Sequence, residues 1–215
     1  YRVKQGFDHM TVALSAAVQM MVFSKAAGVM FTVDLVTGND NNILIEGSWG
    51  LGEYVVQGTV TPDNFHVDKT KMEITDRMIN DKHIRLVRKA DGDCVEEVVP
   101  ADEAKKQVIT DAQVLELAKY AKAIEKHYGC YMDMEWGVDE RDDKIWILQA
   151  RPETVWSRKE KSETTEKANT LDTGNREIIV KGLPASPGNA AGKAHVIINP
   201  EDIDEFKEGE ILVTA

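Results

Sequence analysis

Residues 132–152 read M-D-M-E-W-G-V-D-E-R-D-D-K-I-W-I-L-Q-A-R-P and hold the polar groups best suited to chemistry. Two apolar runs with period-two alternation flank a charged turn at 139–143, which predicts a β-hairpin. Residues i and i+2 of a strand share a face. Asp133 and Glu135 therefore point one way, and Met132, Met134 and Trp136 the other. On the return strand Gln149 and Arg151 are expected to share a face with Ile147. If the two polar faces coincide, two carboxylates, an amide and a guanidinium converge. Carboxylate and amide oxygens suit a hard divalent cation, and a planar guanidinium suits phosphate oxygens. The same alternation also describes a solvated sheet face with cross-strand ion pairs. Both readings stand on pattern alone.

The elements that must position these groups come next. Residues 17–34 are expected to form two apolar strands broken at 24–28, with a turn at 35–42 and a third strand from Ile43. Residues 47–58, G-S-W-G-L-G-E-Y-V-V-Q-G, are rich in glycine, which permits positive φ and close backbone approach. Such loops can cradle phosphates with backbone N–H groups. This one has neither the Lys-Ser/Thr of a P-loop nor the G-x-G-x-x-G pattern. Glu53 is the polar residue directly after its central turn. Residues 60–88 alternate and read as a sheet meander. In it, Lys82 and Arg85 are either phosphate contacts or, preferably, the charges of an edge strand. Residues 89–97 read as an acidic turn.

Thr110 opens the clearest helix. Gln113 lies three residues on, a capping box. Val114, Leu117, Ala121, Ile124 and Tyr128 then recur at helical spacing up to Gly129. His127, at the helix C-terminus, reads as structural. Residues 157–177 are polar, lack aromatic side chains and read as a linker. A Gly-, Pro- and Ala-rich pattern begins near Ile178 and leads to strands at 195–198 and 209–215. Tyr1 at one end, and an unclosed strand at the other, lead us to expect a piece of a longer chain.

Composition sets outer bounds. Hydrophobic residues make up 42% and charged residues 29%, which is ordinary for a globular domain. The net charge of −11 argues against a nucleic-acid partner, though a local basic group can still hold an anion. Cys94 and Cys130 have no metal-ligand spacing, and a reduced, cytoplasmic setting is the expectation. No apolar run is long enough to span a bilayer.

Several segments in order resemble a known family. They are Y-R-V-K-Q-G-F-D (1–8), G-V-M-F-T-V-D (28–34), W-G-L-G-E-Y-V-V-Q-G-T-V-T-P-D-N-F (49–65), I-E-K-H-Y-G (124–129), D-M-E-W (133–136) and I-L-Q-A-R-P-E-T-V (147–155). Together they resemble the phosphoenolpyruvate synthase (pyruvate, water dikinase) family, grouped with pyruvate phosphate dikinase. The resemblance implies an α+β chain: the C-terminal part of an ATP-grasp nucleotide-binding domain over 1–156, then the linker. The start of a swivelling phosphohistidine domain follows over 178–215. It implies Mg²⁺ held by Glu135 and Gln149, terminal phosphates contacted by Arg151 with Asp133 beside it, and a nucleotide contact from Glu53. ATP is the implied substrate, and pyruvate binds through a domain outside this chain. The parent is implied to be a homo-oligomer, with no membrane or nucleic-acid partner.

Departures limit what carries over. None of His9, His66, His83, His127 or His195 has the Gly-Gly-x-Ser/Thr-x-His context of the family's phosphocarrier. Asn80 and Asp81 stand where the family often has Gly before its lysine turn. This chain alone is therefore expected to lack dikinase turnover. The rival readings are a pyruvate phosphate dikinase piece and a non-catalytic nucleotide-binding or interaction module.

Overall fold

The computed structural model describes residues 2–8, 10, 16–154, 156, 190–198 and 200–214. Its architecture mixes α and β and is mostly sheet. A short helix, α1 (Arg2–Gln5), comes first, and the described residues 16–23 form neither helix nor strand. The first of the two strands expected over 17–34, ahead of Ser24, is not formed. Eight strands follow: β1 (Ser24–Phe31), β2 (Asn42–Trp49), β3 (Asp63–Asp68), β4 (Glu73–Met78), β5 (Ile84–Arg88), β6 (Cys94–Val98), β7 (Met132–Asp139) and β8 (Ile145–Pro152). The main sheet has the order β4-β3-β2-β1-β7-β8, antiparallel throughout, and β5-β6 form a separate hairpin. The helices are α2 (Glu53–Val56), α3 (Ala101–Ala104) and α4 (Asp111–Tyr128).

Helix α4 starts and stops where local chemistry dictates. Gln113 N donates to Thr110 Oγ1 at 3.3 Å, and Thr110 N donates to Gln113 Oε1 at 2.9 Å. Gly129 ends the helix at φ +67°, a left-handed conformation that glycine adopts without steric cost. Val114, Leu117, Ala118 and Ala121 form its buried stripe, spaced i, i+3, i+4 and i+7. Ile124 packs at the edge of the core, whereas Tyr128 is exposed and does not extend the stripe. The stripe lies on one face of the sheet against Met30, Ile45, Phe65, Met134 and Trp136.

Two glycines shape that face. The indole of Trp136 lies over Gly47, where an added Cβ would come within 2.8 Å of the ring. At Gly28 a Cβ would meet the Glu46 carbonyl oxygen at 1.9 Å. The small residues at 24–28 therefore do not break a strand. They let neighbouring strands and the indole approach β1, and 24–31 is one continuous strand.

Three other expectations change. Residues 94–98 are strand β6, with only the segment between Lys89 and Asp93 turning back. The alternation of Val95 and Glu96-Glu97-Val98 outweighs the acidic composition, since Glu97 lies opposite Arg85 on β5. Arg85 is paired with Glu97 on this exposed hairpin, in keeping with the preferred reading. Lys82 is neither an edge charge nor a phosphate contact: it is fully buried and paired with the equally buried Asp63 at 2.6 Å. Lys82 Nζ also donates to the Asn80 carbonyl at 2.7 Å. Asp63 accepts from the backbone N–H groups of Asn80 and Val108, both at 3.0 Å. This satisfied pair pins the start of β3 to the chain entering α4.

Residues 157–177 and 178–189 of the expected linker and second unit lie outside the described residues. Beyond them, β9 (Lys193–Val196) and β10 (Glu210–Val213) pair in parallel, joined through a 3-10 turn at Pro200–Glu205. His195 Nδ1 and Glu210 Oε2 lie 2.6 Å apart across this pair.

Two predictions follow from these contacts. Removing one partner of a buried pair strands the other charge, so Asp63→Ala should cost about 3–5 kcal/mol. The Asp63→Leu/Lys82→Met double variant should lose less, as measured by urea unfolding of both. In the hairpin turn, Arg141 holds the Asp139 carboxyl down to about 2 from the ordinary 3.8. Arg141 donates to it through Nε at 2.8 Å and through its backbone N–H at 3.0 Å. A depressed carboxyl pKa stabilises the fold above the unfolded value, and that contribution fades as pH falls from about 4 to about 2. Carboxyl-carbon NMR should show the Asp139 titration moving upward in Arg141→Ala.

Candidate functional site

The face of the main sheet opposite α4 carries the polar residues singled out from sequence. Directly opposed residues of antiparallel strands project to the same side. The register therefore defines transverse rows. One row runs Asn64, Glu46, Val29, Glu135, Gln149 across β3, β2, β1, β7 and β8. The next runs His66, Leu44, Phe31, Asp133, Arg151. Met134 and Trp136, between and beside these rows on β7, face α4 and are fully buried. The hairpin thus brings Asp133, Glu135, Gln149 and Arg151 together on adjacent strands.

The return strand differs from simple alternation at one place. Glu135 lies opposite Gln149, but Trp136 lies opposite Ile147, so Leu148 is the extra residue of a β-bulge. Ile147 consequently turns with Trp136 toward the core and packs at its edge. It does not share the face of Gln149 and Arg151. The bulge re-phases β8, letting an apolar segment near the turn and a polar segment near Pro152 both face the right way.

Asp133 and Arg151 are in direct contact. Arg151 Nε donates to Asp133 Oδ2 at 2.9 Å, and Nη2 lies 2.8 Å from the same oxygen as an ion-pair contact. The carboxylate is mostly covered, its side chain 16% exposed, while the guanidinium is 65% exposed. Asp133 therefore acts as a fixed post that orients a solvent-facing fork. Nη1 makes no hydrogen bond among the described residues. Glu135 is half-buried and Gln149 exposed, side by side across the strand pair. Two hard oxygen donors at one spot would suit a Mg²⁺ ion, which favours carboxylate and amide oxygens. Among the described residues no group of three or more His, Cys, Asp or Glu side chains could form a protein-only metal cage.

Glu53 reaches this face through the glycine turn. Gly50 sits at φ +79°, and an added Cβ there would meet the Leu86 carbonyl at 2.3 Å. Leu51 N donates to that same carbonyl at 2.8 Å, docking the turn on β5. The chain then enters α2, with Gly52 lying close over Ala27 on the face opposite α4. Glu53 opens α2 and accepts a hydrogen bond from Gln57 Nε2 at 2.9 Å.

Sequence reasoning missed Glu46. It shares the row of Glu135, two strands away at roughly 10 Å. Burial pushes its carboxyl above the ordinary range. It makes no hydrogen bond or ion pair among the described residues. The signal was present in I-L-I-E-G: one acidic residue inside an apolar strand, where a satisfied structural role needs a partner.

Residues 1–171 match the family described as pyruvate phosphate dikinase, AMP/ATP-binding domain. The whole chain aligns with the phosphoenolpyruvate synthase of Pyrococcus furiosus, at 46% identity over 221 residues. The probable phosphoenolpyruvate synthase of Pyrococcus abyssi is 45% identical over 221 residues. The phosphoenolpyruvate synthase of Neisseria meningitidis serogroup B is 42% identical over 225 residues. The chain covers 26%, 26% and 28% of these relatives, respectively. It therefore spans about a quarter of the length of the relatives it matches. With a family match extending over most of its length, the chain belongs to the pyruvate phosphate dikinase AMP/ATP-binding domain family.

Proposed function

We propose that the face carrying Asp133, Glu135, Gln149 and Arg151 is the metal and phosphate half of an ATP site. In this reading the chain is part of a longer phosphoenolpyruvate synthase. The observation that carries the proposal is the register: a carboxylate faces an amide, and a carboxylate-anchored guanidinium lies in the next row. Glu135 and Gln149 hold Mg²⁺, which when bound neutralises phosphate oxygens. Arg151, steadied by Asp133, presents its outward N–H groups to the terminal phosphates. Phosphoryl transfer depends mostly on such positioning and charge neutralisation. Glu53 contacts the nucleotide from the glycine turn, and Glu46 lies in the same row two strands from the metal pair.

The relatives' names support the parent reaction, in which ATP, pyruvate and water give AMP, phosphoenolpyruvate and phosphate through a phosphohistidine. In this division, 1–156 is the C-terminal part of an ATP-grasp domain and 157–177 a linker. Residues 178–215 begin the swivelling phosphohistidine domain. The setting is cytoplasmic, and pyruvate is bound elsewhere in a homo-oligomeric parent. The family description favours a second reading, in which phosphate replaces water as co-substrate.

Titration calorimetry with Mg-ATP tests the site. The 215-residue chain should bind weakly and only with magnesium. Arg151→Ala and Glu135→Ala should each weaken binding roughly tenfold or more, as for the loss of a charged hydrogen-bonding group. Equal binding by folded variants would remove these residues from the site. The chain alone should make no phosphoenolpyruvate from pyruvate and Mg-ATP.

A further inference from the structure

A second polar cavity, of about 270 Å³, lies where the β5-β6 hairpin meets the glycine turn and the start of β1. Glu140, at the hairpin turn, is part of its wall. Along β7 this residue is five positions beyond Glu135, roughly 17 Å of extended chain. That part of the wall is therefore set apart from the metal pair, while Gly50 and Leu51 on the other side belong to the turn that carries Glu53.

Its wall concentrates positive charge in a chain of net charge −11. Four cations, Lys25, Arg85, Arg88 and Lys89, face two acids, Glu97 and Glu140. Glu97 serves two of the cations at once, pairing with Arg85 at 3.1 Å and Lys89 at 2.5 Å. Lys25 is bound to Asp143. Arg88 has no carboxylate partner among the described residues; its guanidinium lies 5.9 Å from the Phe23 ring centroid. That ring also carries Arg141, at 4.9 Å, whose charge is committed to Asp139. An aromatic face thus holds the Arg88 fork in place while leaving its N–H donors unused. A guanidinium so placed is matched to a phosphate group, and the excess of cations over acids in the wall favours an anion. The volume is just below the ~300–1,000 Å³ usual for larger ligands. It suits a phosphate with a small substituent, not a nucleotide.

We propose that this cavity binds a small phosphate-bearing dianion, with Arg88 as its principal donor and Arg85 and Lys89 supplying surrounding charge. Inorganic phosphate and a phosphomonoester share that chemistry. The test is a backbone-amide NMR titration of the 215-residue chain with inorganic phosphate, phenyl phosphate and acetate at matched ionic strength. The Gly50, Leu51 and Gly92 amides should shift and saturate within about 10 mM phosphate, a weak-site affinity. Acetate should not reproduce the effect. Arg88→Gln should weaken binding roughly tenfold or more, and Arg88→Lys should restore part of it, with spectral dispersion reporting that both variants fold. Equal affinity for the two phosphates identifies the free ion as sufficient, whereas tighter phenyl phosphate binding identifies an ester. Shifts confined to Gln149 and Arg151, equal shifts with acetate, or an unchanged affinity in Arg88→Gln would overturn the proposal.

Discussion

The seating of one indole sets the phase of the central strands. Trp136 occupies the slot left by Gly47, and its Nε1 donates to the Val29 carbonyl at 3.2 Å. A strand slipped by one residue would drive this side chain to the opposite face and leave a hole beneath α4. The large apolar group therefore decides where its polar neighbours go. With Trp136 and Met134 locked toward the helix, Asp133 and Glu135 have only the other face. The placement of acidic chemistry on β7 is thus the complement of a packing decision made on the buried side.

The legible parts of the structure are those whose causes are local in the chain. The capping box of Thr110 and Gln113, the left-handed Gly129 and the Met132 to Val138 alternation each state their structure within a few residues. The illegible parts depend on partners far away in sequence. Lys82 looks like a surface charge until Asp63 and the Asn80 carbonyl enclose it. The run Ser24 to Gly28 looks like a break because small residues serve both turns and close strand contacts; the close approach of the Glu46 carbonyl to Gly28 decides between the two. The bulge at Leu148 is hidden because Ile147, Leu148 and Gln149 fit either phase equally well. Glu46 was visible as an anomaly, but its significance needed the register that aligns it with Glu135.

Charge is divided between the two ends of β7. Acidic groups collect along the rows of Glu46, Glu135 and Asp133, where a cation and a single anchored guanidinium can balance them. Cations collect around Phe23 and the β5-β6 hairpin, in contact with the turn that carries Glu53. Gly50 is the hinge of this arrangement in a steric sense: its missing Cβ lets the Leu86 carbonyl approach, coupling the hairpin to the turn. The net acidity of the chain thus averages over two surfaces of unlike character.

The hairpin itself has a consequence for assembly. Asp133, Glu135, Gln149 and Arg151 belong to two strands joined only by residues 140–144. Forming such a hairpin takes on the order of microseconds. The four polar residues are therefore neighbours in the chain as well as in the sheet. Their mutual spacing is written in the turn and the bulge, while the face they occupy is set by Trp136.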